Sequence, residues 1–166
     1  LGGSYVRDKD AVFASMLICE MTAYYKQQGK SLIEVLEALY KKYGYFICSQ
    51  KSYTCEGESG IEQIKGAMNN LRKNMPIMIN AKKVLKVEDY ANSICYDLKN
   101  NAERKITLPR SDVLCYYLED GSSLIVRPSG TEPKIKLYLN SIGETREKAE
   151  INLENLTNSS IKIFGF

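Results

Sequence analysis

Three alternating apolar segments in succession constrain this chain more than any other feature. Residues 113–119 read as a strand, Asp120-Gly121 as a tight hairpin turn, residues 122–127 as the return strand, and residues 134–140 as the next one. Strands joined by hairpins rather than by helical crossovers pair antiparallel.

The rest of the chain supplies helices. Asp8 or Asp10 caps a helix that runs to about Gln28, with Phe13, Leu17, Met21 and Tyr24 at helical spacing and Gly29 at its end. Ser31 and Glu34 form a capping box for a second helix, striped by Leu32, Val35, Leu36, Leu39 and Tyr43 and stopped by Gly44. This helical hairpin cannot bury both stripes by itself. From Tyr45 the pattern alternates, and Phe46, Cys48 and residues 51–55 predict a strand or a bent pair of strand pieces, so a boundary falls between 1–45 and 46–166. Ser59 and Glu62 predict another capping box, opening a helix with Ile61, Ile64, Met68 and Leu71 on one face and ending near Asn74, before Pro76. Residues 84–88 read as a strand and the polar stretch 90–110 as a long loop. Thr145 begins a final helix carrying Ala149, Leu153 and Leu156, and no element is assigned after Asn158. Hairpin-joined strands with two helices make the second part an α+β domain with an antiparallel sheet.

Between two of those strands lies Arg127-Pro128-Ser129-Gly130-Thr131-Glu132-Pro133-Lys134. The prolines fix φ and limit the loop's movement, and Gly130 lets the backbone turn tightly or come close to a ligand. Two hydroxyls, free backbone N–H groups, the Arg127 guanidinium and the Lys134 ammonium can all donate to oxygen. A phosphate needs such converging donors, and arginine's planar fork grips two of its oxygens. The same composition also suits an ordinary turn with Arg127 solvated. Chemistry alone leaves both readings open.

Composition excludes more than it selects. The 166 residues, 44% of them hydrophobic, are enough for one or two small domains with a real core. No apolar run approaches the roughly 20 residues that span a bilayer, and no basic segment with an apolar core marks a signal peptide. The net charge of +3 is spread over mixed signs and decides little. Five cysteines without a C-x-x-C pair, mostly in apolar patterns, suit buried thiols in a reducing compartment rather than zinc or disulfides. With no histidine in the chain, any Ser-His-Asp arrangement is excluded, and chemistry here falls to Lys, Arg or carboxylates.

The run R-P-S-G-T-E-P-K-I-K-L-Y, residues 127–138, resembles the signature of the last domain of the α-D-phosphohexomutases, the phosphoglucomutase and phosphomannomutase family. Residues 7–12, R-D-K-D-A-V, are similar to a segment near the end of the third domain in phosphoglucomutase-type members. The resemblance implies a TBP-like last domain preceded by a helical remnant of the third. It implies a cytoplasmic, magnesium-dependent parent enzyme that interconverts hexose 1-phosphate and hexose 6-phosphate through hexose 1,6-bisphosphate. The partners it implies are those sugar phosphates and the remaining domains of the parent.

Carried onto this chain, the resemblance makes Arg127 the clamp on the phosphate that is not being transferred. Ser129 and Thr131 would donate hydroxyl and backbone N–H bonds, Gly130 its backbone N–H, and Lys134 charge at the rim. Glu132 would either touch the ligand or hold Arg127 or a neighbouring N–H in place. Lys9 matches a lysine near the active cleft considered for proton transfer, against the alternative of a solvated surface lysine. No phosphoserine context, metal-binding D-G-D-x-D-R-like cluster or E-S-Y-G-like sugar loop occurs in the chain. The expectation is therefore a phosphate-binding part that is not catalytic alone and holds no metal. Two other readings remain: a non-enzymatic module using its sheet for a macromolecule such as nucleic acid, and a clamp for another phosphorylated ligand such as an amino sugar phosphate. The first is weak, since Tyr116, Tyr117 and Tyr138 with Lys134 and Lys136 are too scattered for a single-strand groove.

Overall fold

Helix capping sets the first elements. In the computed structural model, which describes residues 9–55, 59–130 and 132–164, α1 spans Ala11–Gln27 and the Asp10 carboxylate accepts the Phe13 amide at 2.8 Å. The N-cap is thus Asp10, and Asp8 lies outside the described residues. Helix α2 spans Leu32–Tyr43. Ser31 Oγ accepts the Glu34 amide at 3.2 Å while the Glu34 carboxylate accepts the Ser31 amide at 2.7 Å, so two orphan donors are satisfied reciprocally. Both helices fall in a first compact unit, Leu1–Gly44, and the remaining elements in a second, Tyr45–Phe166. In the first unit neither helix has a buried residue, and Val12, Met16, Ile18 and Ile33 are all more than half exposed.

The second unit runs β1 (Tyr45–Thr54), α3 (Gly60–Lys73), β2 (Met78–Ile79), β3 (Lys82–Asp89), β4 (Ile94–Asp97), β5 (Ala102–Lys105), β6 (Leu114–Leu118), β7 (Ser123–Pro128), β8 (Lys134–Gly143) and α4 (Arg146–Phe164). The sheet order is β1-β8-β7-β6-β3-β4-β5, with β2 beside β3, and each of these pairings is antiparallel. Alternation gives the sheet one apolar face. Val87, Leu114, Tyr116, Leu124, Val126, Ile135, Leu137 and Leu139 are buried there with Ile64, Met68 and Leu71 of α3 and Leu156 of α4. Burying each large aliphatic side chain stabilises by about 1.5–3 kcal/mol. Polar contacts fix α4 on β8: Ser141 Oγ donates to the Ala149 carbonyl at 2.7 Å and the Asn152 side-chain amide to the Ile142 carbonyl at 2.9 Å. The opposite, more open face carries the exposed Arg127 and the half-buried Lys136, Tyr138, Tyr117 and Lys86.

The Asp120-Gly121 hairpin forms where expected. Gly121 takes φ 83°, and the Ser122 amide donates to the Asp120 carboxylate at 3.0 Å. Two expectations need correction. Residues 90–110 are not a long loop, because β4 and β5 form a hairpin there, turned by Asn101 at φ 50° with the Asp97 carboxylate accepting the Asn100 amide at 3.1 Å. Ser59 builds no capping box. Its own backbone is already helical, at φ −80° and ψ −5°, which turns its hydroxyl away from the Glu62 amide, and it accepts the Gln63 side-chain amide at 3.2 Å instead. The stretch after Asn158, to which the sequence pattern assigns no element, continues the last helix to Phe164, with the buried Ser160 hydroxyl donating to the Leu156 carbonyl at 2.6 Å. β1 is one unbroken strand.

Candidate functional site

The loop from β7 to β8 is shaped by its backbone. The ladder passes Pro128 opposite Ile135 and gains one more rung, the Ser129 amide donating to the Lys134 carbonyl at 2.8 Å. The Lys134 amide donates to the Glu132 carbonyl at 2.7 Å. The Pro133 carbonyl accepts the Cys55 amide at 2.9 Å, tying the loop's exit to the end of β1. Helix α3 starts hard against this junction. A Cβ on Gly60 would lie 2.2 Å from the Cys55 carbonyl oxygen and 3.1 Å from Pro133 Cβ, so only glycine lets the helix begin there.

Within this frame the expected donors have distinct fates. The Ser129 amide is used by the ladder, which corrects the expectation that it donates to a ligand; its hydroxyl remains. Glu132 does not hold Arg127 and instead pairs with the Lys134 ammonium at 3.2 Å. Gly130 is not in the left-handed region, and a Cβ there would meet nothing within 4 Å. Neither the turn nor crowding therefore accounts for a glycine at this position. Thr131 lies outside the described residues. Lys9 is exposed and directly precedes the Asp10 cap in the first unit.

Arg127 is exposed on the open sheet face, directly opposite Lys136 of β8. Among the described residues neither side chain makes an ion pair or hydrogen bond. Like charges on cross-strand neighbours are destabilising, so an anion beside this pair would relieve their repulsion. Lys136 is a neighbour of Arg127 that sequence reasoning did not assign to the loop. Its signal is positional, because Arg127 and Lys136 flank the loop symmetrically once the register is known.

Behind the loop, on the α3 side, opens a cleft of about 260 Å³ lined among others by Ile61, Lys65, Asp112, Ser129, Gly130 and Glu132. Asp112 is engaged by the Arg72 guanidinium, whose Nε also bonds both carboxylate oxygens of Asp89 at 3.2 Å. Asp89 is 2% exposed and accepts the Ala91 amide at 3.1 Å and the Asn92 side-chain amide at 2.6 Å. Further along the open face, Glu88 accepts from Lys86 Nζ at 2.9 Å, the Tyr117 hydroxyl at 2.9 Å and the Tyr90 hydroxyl at 3.1 Å. Burial alone would raise the Glu88 pKa, but these hydrogen bonds outweigh it and hold the carboxyl below its usual range. Burial, with Glu88 as acceptor, pushes the Tyr90 hydroxyl up to about 12. Among the described residues no three Asp, Glu, Cys or His side chains are grouped to hold a metal ion.

This loop on an antiparallel α+β frame has known counterparts. Residues 63–156 match the family model of the phosphoglucomutase/phosphomannomutase C-terminal domain. The chain belongs to this family. It is 34% identical over its whole length to the phosphoglucomutase of Staphylococcus haemolyticus, covering 28% of that protein. Over 139 residues, 84% of the chain, it is 39% identical to the phosphoglucomutase of Staphylococcus aureus strain RF122, covering 25% of it. The chain thus spans about a quarter of these relatives. The crystal structure of parafusin, a phosphoglucomutase from Paramecium in its open form, superposes on 97% of the chain with a TM-score of 0.65 at 15% identity, covering 28% of that chain. That likeness bears on fold alone, and it agrees with the α+β arrangement of a phosphoglucomutase/phosphomannomutase C-terminal domain. Among the described residues no helix is long and apolar enough to cross a membrane.

Proposed function

We propose that this chain is the C-terminal part of a hexose phosphate mutase and that its β7–β8 loop clamps the phosphate of the sugar that is not being transferred. The observation that carries this reading is the Arg127–Lys136 pair: two adjacent cations, without an anionic partner among the described residues, at the mouth of a loop whose Gly130 leaves room for a ligand. Arg127 grips two phosphate oxygens with its planar fork, Lys136 adds a point charge, and the Ser129 hydroxyl and Gly130 N–H supply hydrogen bonds. Thr131 and Lys134 complete the set, with Lys134 shared with Glu132.

The parent enzyme would interconvert hexose 1-phosphate and hexose 6-phosphate through a bisphosphorylated sugar. Mg2+ would serve it through residues outside this chain, whose carboxylates Asp89, Asp112 and Glu88 are already engaged by Arg72, Lys86 and tyrosine hydroxyls. Residues 1–45 would be the helical end of the preceding domain, which accounts for the exposed apolar side chains of α1 and α2, and Lys9 would stand near the reacting centre. Buried free thiols at Cys55, Cys95 and Cys115 suit the cytoplasm.

Thermal unfolding of the chain in phosphate, against chloride at matched ionic strength, tests the clamp. Binding at 50 times Kd adds about 2 kcal/mol of stability by mass action. The wild type gains it and Arg127→Ala does not; equal protection of both would remove Arg127 from the site. The purified chain should convert no glucose 1-phosphate, and measurable turnover would contradict the assignment of catalysis to other parts of the protein.

A further inference from the structure

We infer that Lys65 of α3 is a second-side cation of the phosphate site, gripping the ligand from the face opposite Arg127 and Lys136. The inference rests on the phosphate-clamp reading above and adds a residue that lies outside the loop, on a different element.

Three observations converge on Lys65. It lines the same cleft of about 260 Å³ as Ser129 and Gly130, two described loop residues with donors left to offer. Both carboxylates that line this cleft are committed elsewhere, Asp112 to Arg72 and Glu132 to Lys134. Lys65 itself makes no hydrogen bond or ion pair among the described residues. Lys65 is therefore the cation lining this cleft that has no partner among the described residues, next to a glycine whose Cβ position is open space. An oxyanion seated at the loop tip would satisfy it.

The placement of α3 is also fixed rather than incidental. Gly60 packs on Cys55 and Pro133 at the loop's exit, and Arg72 anchors the other end through Asp89 and Asp112. Lys65 lies between these anchors, on a helix held at both ends. Arg127 and Lys136 approach from the open sheet face, so a phosphate at the tip meets cations from both sides. The ligand class is a phosphate monoester dianion, for which opposed cations are more useful than a single clamp.

The test is a titration of the full 166-residue chain with inorganic phosphate, following the Gly130 amide by NMR, for the wild type, Lys65→Met, Lys65→Arg, Lys162→Met and Arg127→Ala. A unit charge removed a few ångströms from a dianion in solvent-screened surroundings changes affinity by roughly three- to tenfold. Lys65→Met should raise Kd by that factor, and by less in high salt. Lys65→Arg should restore it, and Lys162→Met, on α4, should match the wild type. If Lys65→Met binds like the wild type while Arg127→Ala does not bind, Lys65 is no part of the site and the clamp reading stands. If the wild type shows no saturable shift, both fall.

Discussion

Replacing Asp89 by alanine should destabilise the second unit by about 3 kcal/mol. Asp89 is 2% exposed and takes hydrogen bonds from Arg72 Nε, the Ala91 amide and the Asn92 side chain. Removing one partner of a buried ion pair costs about 3–5 kcal/mol, because the other charge is left without compensation. The lower end applies here, since the Arg72 side chain keeps 17% exposure and retains Asp112. At roughly 3–4 °C per kcal/mol for a domain of this size, the loss lowers Tm by about 10 °C. Urea unfolding at pH 7, followed by far-UV circular dichroism, reads the change as a shifted midpoint with an unchanged slope. Adding Arg72→Met to Asp89→Ala should cost less than the single substitutions predict in sum, because the stranded guanidinium is gone. The reasoning fails if Asp89→Ala costs less than about 1 kcal/mol, or if the two substitutions are additive.

The two glycines by the loop should behave oppositely. Gly60→Ala places a Cβ 2.2 Å from a backbone oxygen and should cost about 1–3 kcal/mol as overpacking that no side-chain movement relieves. Gly130→Ala meets open space and should leave stability within about 0.5 kcal/mol while weakening phosphate binding; a thermal scan and a phosphate titration of each check both statements. Glu88 should make the protein acid-sensitive. Its folded pKa lies below that of an ordinary glutamate, so its contribution is full above the ordinary value and is lost as pH falls through the lower folded one. Urea midpoints measured from pH 6 to pH 3 should fall less steeply for Glu88→Gln than for the wild type, and parallel curves would refute the assignment.

What the sequence reveals follows from how much of each element is buried. The β6–β7–β8 run alternates against a packed face, so its strands and the Asp120-Gly121 turn are legible. The β4–β5 hairpin is not, because all four residues of β5 are exposed at the sheet edge and carry no alternation. Ser59 shows the limit of a spacing motif, since Ser-x-x-Glu caps a helix only when the serine is extended. At the site, the residue types of the loop are legible, but their availability is not. That the Ser129 amide completes the ladder, that Glu132 takes Lys134, and that Lys136 stands beside Arg127 all depend on register, which only the paired strands define.

The most direct test of the central claim is an NMR titration of the chain with glucose 1,6-bisphosphate, following the Ser129 and Gly130 amides, with free glucose and inorganic phosphate as controls. A preformed phosphate clamp predicts saturable shifts at those amides with the bisphosphate and with phosphate, at Kd on the order of 1 mM. It predicts none with glucose and none in Arg127→Ala. Shifts that glucose reproduces, or that survive Arg127→Ala, would contradict it.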